Sequence, residues 1–411
     1  MPRISKSSDA LVVVLAVACV ALTSQQSDAQ GRGAGPSMKP SALRAIPAET
    51  TAAKAKDPNW KAPRTSWGHP DLEGTWTSDD MRGIPTSRPV AQGERESLTP
   101  DEFARRAGGD EASRDRAVNQ ETILRNEFGV RTFGYTSFIV DPPNGQMPAL
   151  TQAALARRKA IANQGTFGGG PWDDFDDFTL YDRCITRGVP GSVMPVLYGN
   201  GLRIMQTPNE VVISYEMVHD TRVIPLDLST LREPQGRPEQ GRGTTSSGSP
   251  RAESRGDGRP HIGAGIKQYI GDARGHFEGD TLVVETTNFT NKTAVNGAPH
   301  SEKLKLTEWF TRIDPQMIDY RFRVEDPDTF TAPFTMRLTI TEQPGYQLYE
   351  YSCHEGNTAV GQALSGERAY EKQVAEARAK GLPIPPRTTG MEVYSGAPVE
   401  GRQPVREIGF K

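Results

Sequence analysis

The sequence predicts a mainly β protein, an antiparallel barrel or a β-sandwich with peripheral helices and long loops. Two stretches carry that prediction. Between His276 and Tyr351 apolar and polar residues alternate in windows 8 to 12 residues apart, with Asp, Pro or Gly between them. Between Leu202 and Pro225 three short runs rich in β-branched residues are joined by links short enough to make antiparallel neighbours. Composition adds a third observation: 32 Pro and 41 Gly in 411 residues exclude a long coiled coil, because helix breakers cannot sit on an unbroken seam.

Charge narrows the function classes. Lys plus Arg total 48 against 51 for Asp plus Glu, a formal net charge of -3, which gives no electrostatic footprint for a nucleic-acid backbone. Hydrophobic residues make up 35% of the chain, low for a compact protein, but they gather in particular windows, so a true core is expected beside poorly apolar segments.

At the start, Arg3 and Lys6 precede an apolar stretch from Ala10 to Leu22, and Ser27-Asp28-Ala29 supplies a small-residue cleavage site. Residues 1–29 therefore read as a secretory signal peptide, too short to span a membrane, which takes roughly 20 apolar residues. A lipoprotein anchored through Cys19, within Ala16-Val17-Ala18-Cys19, is the lesser alternative. The expected location is the periplasm or the cell exterior, with no integral membrane segment after cleavage. Cleavage leaves Cys184 and Cys353, an even pair in an oxidising compartment, for which a disulfide is predicted and two buried thiols are the alternative.

Residues 30–59 are small, polar and aperiodic, a flexible lead-in to a single β-rich domain over 60–370. Five consecutive strands with short links make the barrel alternative lipocalin-like; Gly74-Thr75-Trp76 in the first strand region is similar to the G-x-W of lipocalins, but Trp76 reads as an ordinary core plug and assigns no family. At Leu98-Thr99-Pro100-Asp101-Glu102, Thr99 can cap a helix, Pro100 fits its first position and Glu102 completes a capping box, with Leu98 as the staple residue. A further helix is predicted over Gln146–Ala162. Strands follow at Leu202–Thr207, Glu210–Met217 and Thr221–Pro225. The Gly/Ser/Pro/Arg tract over 228–260 reads as a disordered loop. Strands are then expected at Thr281–Thr287 and in KLKLTEWFTRID, QMIDYRFRVED, TAPFTMRLTITE and YQLYEYSCHEG. In the first of those four, Leu304, Leu306, Glu308 and Phe310 share one face. A surface helix over 369–381 and a Pro-rich stretch complete the tail, residues 371–411.

Candidate chemistry concentrates where the two mature cysteines would meet. Tyr181, Asp182, Arg183 and Arg187 surround Cys184, while His354 and Glu355 follow Cys353. A disulfide would gather Asp182, Arg183, Arg187, His354 and Glu355, with His354 as base, Asp182 and Glu355 as acids, and Tyr181, Arg183 and Arg187 as ligand contacts able to clamp an anion. The plainer alternative is an Arg–Asp pair that ties down a loop. His261 is a second candidate base, with Tyr269 and Asp272 beside it at a barrel mouth. Asp173, Asp174, Asp176 and Asp177 offer oxygens without EF-hand spacing, Lys267 lacks a P-loop, and HExxH and G-x-S-x-G are missing. Glu308 and Glu325 read as ordinary exposed strand residues. No cofactor or metal is expected.

Together, PHIG, FEGDTLVVETTNFT, LTEWFTRID, VEDPDTFTAPFT and YEYSCHEGN resemble a widespread family of exported bacterial β-rich proteins, over roughly residues 60 to 370. That resemblance implies export and one domain, and transfers no activity or catalytic residue. The leading functional expectation is an exported protein that binds a small molecule in a concave site. Two others stand beside it: a cofactor-independent hydrolase, lyase or isomerase with a His base and an Arg anion clamp, and a surface-associated structural protein.

Overall fold

In the computed structural model, which describes residues 60–119, 129–161, 171–227, 261–342 and 346–386, the alternating windows become strands of one ten-stranded antiparallel sheet. These residues belong to the compact unit Lys39–Lys411. The signal peptide, the lead-in, the 228–260 tract and the end of the tail lie outside the described residues.

The strands are β1 (Gly74–Thr77), β2 (Ile139–Asp141), β3 (Gly201–Gln206), β4 (Glu210–Tyr215), β5 (Thr221–Pro225), β6 (Asp272–Glu278) and β7 (Thr281–Thr287). After these come β10 (Lys305–Asp314), β11 (Met317–Glu325) and β12 (Phe334–Thr341), in the order β5-β4-β3-β1-β12-β11-β10-β7-β6, with β2 pairing β12. Two short strands, β8 (Ala294–Val295) and β9 (Ala298–Pro299), form a separate hairpin. Asn296 and Gly297 turn it with φ of 49° and 75°, the left-handed pair an Asn-Gly hairpin turn requires.

Local sequence explains the helices. In α1 (Pro100–Asn119) the capping box forms as spelled: the Thr99 amide donates to Glu102 Oε2 at 2.8 Å and the Glu102 amide to Thr99 Oγ1 at 3.3 Å, while Leu98 and Phe103 pack as the staple. α2 (Gln152–Ala160) starts six residues later than predicted, because Leu150 is drawn into a bridge with Phe330 and Thr151 then caps the helix through the Ala154 amide. α4 (Ala359–Ala379) extends the predicted tail helix towards its N-terminus; the single turn Cys353–Gly356 before it is α3. Among the described residues no helix is long and apolar enough to cross a membrane.

Two expectations are corrected. The window YQLYEYSCHEG forms no strand. Its polar groups are taken by side chains instead: Glu216 accepts from the Tyr346 hydroxyl and from the Tyr349 amide, and His219 Nε2 accepts from the Tyr351 amide at 2.9 Å. The barrel, with its lipocalin-like form, is also corrected, because the sheet does not close. Nine strands in strict antiparallel order leave the two edges, β5 and β6, pointing the same way, so a seam between them would have to be parallel. β5 has only five residues and ends at Pro225, which has no amide to donate, and the seam reduces to one parallel bridge, Leu226 to Gly275, with the Asp227 amide on the Gly275 carbonyl at 2.7 Å. Glycine is required there: a Cβ at Gly275 would lie 2.9 Å from Ile224 Cγ2.

The sheet is nevertheless strongly curled, and a buried ion pair records it. On a flat sheet β5 and β10 would stand six strand spacings apart, about 29 Å at the usual spacing. Yet Arg222 on β5 donates to both carboxylate oxygens of Glu308 on β10, at 3.0 and 2.5 Å. Arg222 also donates to Thr286 Oγ1, and the Tyr320 hydroxyl donates to Glu308 Oε1 at 2.9 Å. Arg222 is 2% exposed and Glu308 0%, amid Trp76, Ile213, Tyr215, Phe310 and Phe322. Glu308 is thus a core residue and not the exposed strand residue expected. Burial alone would lower the Arg222 pKa; the adjoining carboxylate outweighs it and holds the guanidinium above its ordinary value.

Removing one partner leaves a charge buried without its counterion, so E308A is expected to destabilise the fold by about 3–5 kcal/mol, whereas R222M/E308L restores most of that loss. Guanidinium unfolding of both variants checks this; a single variant as stable as the wild type would contradict it.

Candidate binding cleft

Two concavities meet beside the disulfide. The first, about 610 Å³, is lined by Met81, Ile84, Phe138, Met194, Val196 and Leu197 with Arg82, Tyr181, Arg187 and Asn296. The second, about 430 Å³, is lined by Phe178, Leu180 and Ile161 with Arg157, Asp176, Arg183, Lys292 and Thr293. Tyr181, Arg187 and Ala294 border both, so these are two lobes of one cleft, of which the second carries the larger number of cationic side chains.

Three segments outside the main ladder supply much of the cleft, and the end of α2 with residues 176–179 completes the second lobe. The stretch after β1 is nailed to β12: Thr341 Oγ1 donates to Asp80 Oδ2 at 2.7 Å, Arg131 pairs with the same carboxylate, and the Thr339 amide meets Met81 Sδ. Residues 180–197 are held at one end by the Cys184–Cys353 disulfide, which joins positions 169 apart in sequence, and by Asn357 Nδ2 donating to the Asp182 carbonyl at 2.7 Å. Thr186 Oγ1 donates to Asp220 and accepts from the Gly188 amide. At the other end Asn200 accepts from the Val196 amide and donates to Asp79 Oδ1, both at 2.7 Å. The third segment is the β8–β9 hairpin, packed so closely that a Cβ at Gly188 would meet Thr293 Cβ at 3.1 Å.

Arg187 is the cleft's distinctive group. Its Nη2 donates to the Met194 carbonyl at 3.1 Å, while Nη1 is buried and has no hydrogen-bond partner among the described residues. The groups facing it are three phenols, Tyr181, Tyr198 and Tyr351, and no carboxylate pairs with it among the described residues. Burial lowers its pKa, and the phenols offset that only in part. Tyr198 and Tyr351 stack with ring centroids 6.1 Å apart. Burial and then the neighbouring phenol interactions raise the Tyr181 and Tyr351 pKa values, so these hydroxyls stay protonated at neutral pH, hydrogen-bonded among themselves and with Tyr198.

The disulfide predicted from Cys184 and Cys353 is present, and it brings Tyr181, Arg183 and Arg187 to the cleft. Arg183 is committed, with Nη1 on Asp176 at 2.7 Å and its guanidinium over the Phe175 ring. Asp182 turns back on its own loop, accepting from the Thr179 amide and hydroxyl. His354 and Glu355 sit exposed on α3 and line neither lobe. His261 pairs through Nδ1 with Asp272 Oδ2 at 2.8 Å, and Tyr269 is exposed; both stand apart from the cleft lining. No group of three or more His, Cys, Asp or Glu able to hold a metal occurs among the described residues. Of the acidic run, Asp177 accepts from the Asp173 and Asp174 amides and Asp176 is taken by Arg183.

Sequence reading missed Arg157, Thr293 and His300. Arg157 Nη2 donates to the Asp328 carbonyl and Thr329 Oγ1, and its Nε is buried with no partner among the described residues. Thr293 and His300 flank the Asn296-Gly297 turn symmetrically, a hairpin signal that pairs them across the ladder. Set against protein-family models, curated proteins and solved structures, the chain finds no match in any of the three.

Beneath the first lobe, burial pushes the Asp79 carboxyl up to about 6, against the hydrogen bond from Asn200 that lowers it. A folded-state pKa above the unfolded value means the fold binds the extra proton, so this contribution is complete below about pH 4 and is lost as pH rises through about 6, worth about 3 kcal/mol. D79N keeps an acceptor for Asn200 and is expected to abolish that part of the pH dependence. The check is the unfolding midpoint of both proteins between pH 4 and 7; parallel profiles would contradict the assignment.

Proposed function

We propose that this is an exported protein that binds a small organic anion, seating an apolar body in the first lobe and an acid head on Arg187. One observation carries the reading: a buried guanidinium nitrogen at the junction of two concavities, faced by phenols and left without a carboxylate. A buried donor on a charged group is costly to leave unmade, and a carboxylate or similar head supplies a charge-assisted acceptor. Of the three neighbouring phenols, Tyr181 lines both lobes and is the one placed to donate to the same head. The lobe volumes, about 610 and 430 Å³, fall in the range of small-molecule sites. Arg157, Arg183 and Lys292 against Asp176 give the second lobe a positive surplus, which favours anions on approach.

Export rests on residues 1–29 and on a disulfide that persists in oxidising compartments. We read the curled sheet as sandwich-like, its two halves facing each other across the Arg222–Glu308 pair, and therefore as a rigid support for loops that bind. Against a purely structural role stands the orphaned cation: a surface protein without a ligand has no use for it.

The probe is octanoate, with octanamide as its uncharged counterpart, titrated calorimetrically into wild type, R187M and R183M. Octanoate is expected to bind and octanamide to bind far more weakly. R187M should lose about tenfold to hundredfold in affinity, the worth of one hydrogen bond to a charged group. R183M should lose less, because its guanidinium already serves Asp176. Equal binding of acid and amide, or an R187M variant indistinguishable from wild type, would sink the reading.

A further inference from the structure

The cationic lobe also holds a hydroxyl whose proton is already directed onto a base. His300 is fully buried, and its Nδ1 lies 3.0 Å from the Ser301 carbonyl. A carbonyl can only accept, so Nδ1 carries the hydrogen and Nε2 of the neutral ring is the acceptor. Thr293 Oγ1 lies 2.5 Å from that Nε2 and must be the donor. Thr293 itself is half-buried and lines the second lobe, so the oxygen is turned to His300 by its hydrogen while the residue borders the cavity.

The base is held and electrostatically supported. Phe289 meets the imidazole edge-to-face with centroids 5.6 Å apart. The charged groups facing the ring are Asp326 and Arg157. Asp326 accepts from the Ser301 amide and hydroxyl, both at 2.7 Å, and from Thr329 Oγ1 at 2.6 Å, which keeps it ionised and below its ordinary pKa despite burial. Burial lowers the His300 pKa, and Arg157 adds to this, while the Ser301 carbonyl and Asp326 favour the protonated ring in part. His300 is therefore a neutral base at pH 7, beside a carboxylate that would stabilise its cation.

We propose that Thr293 is a nucleophile activated by His300, and that the cationic lobe cleaves esters of small carboxylate-bearing molecules. In the first step Thr293 Oγ1 bonds to the ester carbonyl carbon as its proton passes to His300 Nε2. The C–O bond to the leaving alcohol then breaks, and the alcohol oxygen takes that proton. In the second step water attacks the acyl-threonine carbonyl, giving its proton to His300. The Thr293 oxygen leaves, recovers the proton and releases the free acid. Ester and water are consumed, acid and alcohol are produced, and no electrons are exchanged. The cations of this lobe, Arg157 and Arg187, each with a buried unpaired N–H, offer charge both to the substrate carboxylate and to the oxyanion. The activity goes beyond anion binding and takes from that reading only the location of the substrate.

The test uses the full chain and 4-acetoxybenzoate, whose carboxylate sits on the leaving group, with phenyl acetate as the uncharged control. Wild type is expected to release 4-hydroxybenzoate above the buffer rate, with a preference for the anionic ester. T293A and H300Q should each lose about 100-fold or more, while T293S retains activity. Peptide mass spectrometry should find an acetyl group on Thr293 after a rapid quench. Diisopropyl fluorophosphate gives a measurement independent of substrate fit, with labelling expected at Thr293 in wild type and lost in H300Q. A structural clasp at the hairpin base would move thermal stability but neither the adduct nor the label. The two readings fail separately: 4-hydroxybenzoate binding that survives in T293A without turnover by wild type overturns the nucleophile and leaves anion binding intact. Absence of a label on Thr293, or T293A turning over like wild type, also overturns the nucleophile.

Discussion

The ion pair between Arg222 and Glu308 is the constraint on which the architecture turns. Two charges this deep are expensive to desolvate, and their contribution to net stability is small or negative compared with apolar residues of the same shape. Their value lies in specifying geometry. Glu308 lies between Leu306 and Phe310 in the half of β10 where buried positions alternate, so a slip of one residue there would put Trp309 inside and carry the carboxylate to the outer face. Arg222 would then be stranded. With the pair made, the short β5 must lie over β10, and that fixes how far the sheet curls before its edges meet at Gly275.

The cleft inherits its rigidity from that arrangement without being part of the ladder. Each wall is a non-repetitive segment tied to a strand or to another segment by a polar bond that excludes alternatives: Asp80 to Thr341, Asn200 to Asp79, Cys184 to Cys353, Gly188 against Thr293. Loops held this way can present side chains that the sheet interior could not tolerate. The disulfide matters most, because it spans 169 positions, and in the entropic account a closure of that length constrains the unfolded chain by about 5 kcal/mol. It also carries Tyr351 to Tyr181 and Arg187, linking the segment after β12 to the loop before β3.

Much of the fold was legible in local sequence. Thr99-Pro100-Asp101-Glu102 encodes a helix start in four letters, and Thr281–Thr287 encodes a strand to the residue, because capping and alternation are short-range effects. What local sequence cannot carry is the long-range partner. Glu308 shared a face with Leu304, Leu306 and Phe310, which was the signal of its burial, but an acid on that face reads as exposed until Arg222, 86 positions away, is known to reach it. The window from Tyr346 to Tyr351 alternates well enough for a strand, yet Glu216 and His219 claim its polar groups first. At the site, the cysteine pair pointed to the loop whose Tyr181, Arg183 and Arg187 line the concavities. It drew in His354 and Glu355 by adjacency alone, and a one-turn helix directs those two residues to solvent.

The case for a ligand follows from how the chain treats its other buried arginines. Arg222 has Glu308, Arg337 has Asp319 and Arg131 has Asp80, each within salt-bridge distance. Arg88, without an acid, is supplied by Thr136 Oγ1 and by the carbonyls of Gly93, Ile139 and Pro143. The sequence thus had the means to satisfy a buried guanidinium in two different ways. At Arg187 it used neither: one carbonyl, three protonated phenols and a buried Nη1 at the junction of two lobes. A phenol can accept one hydrogen bond but brings no negative charge, so it does not offset desolvation as a carboxylate does. Acids or carbonyls thus serve those other arginines, while Arg187, where the two lobes meet, has neither among the described residues beyond the Met194 carbonyl, and that contrast is what supports the proposed anion site.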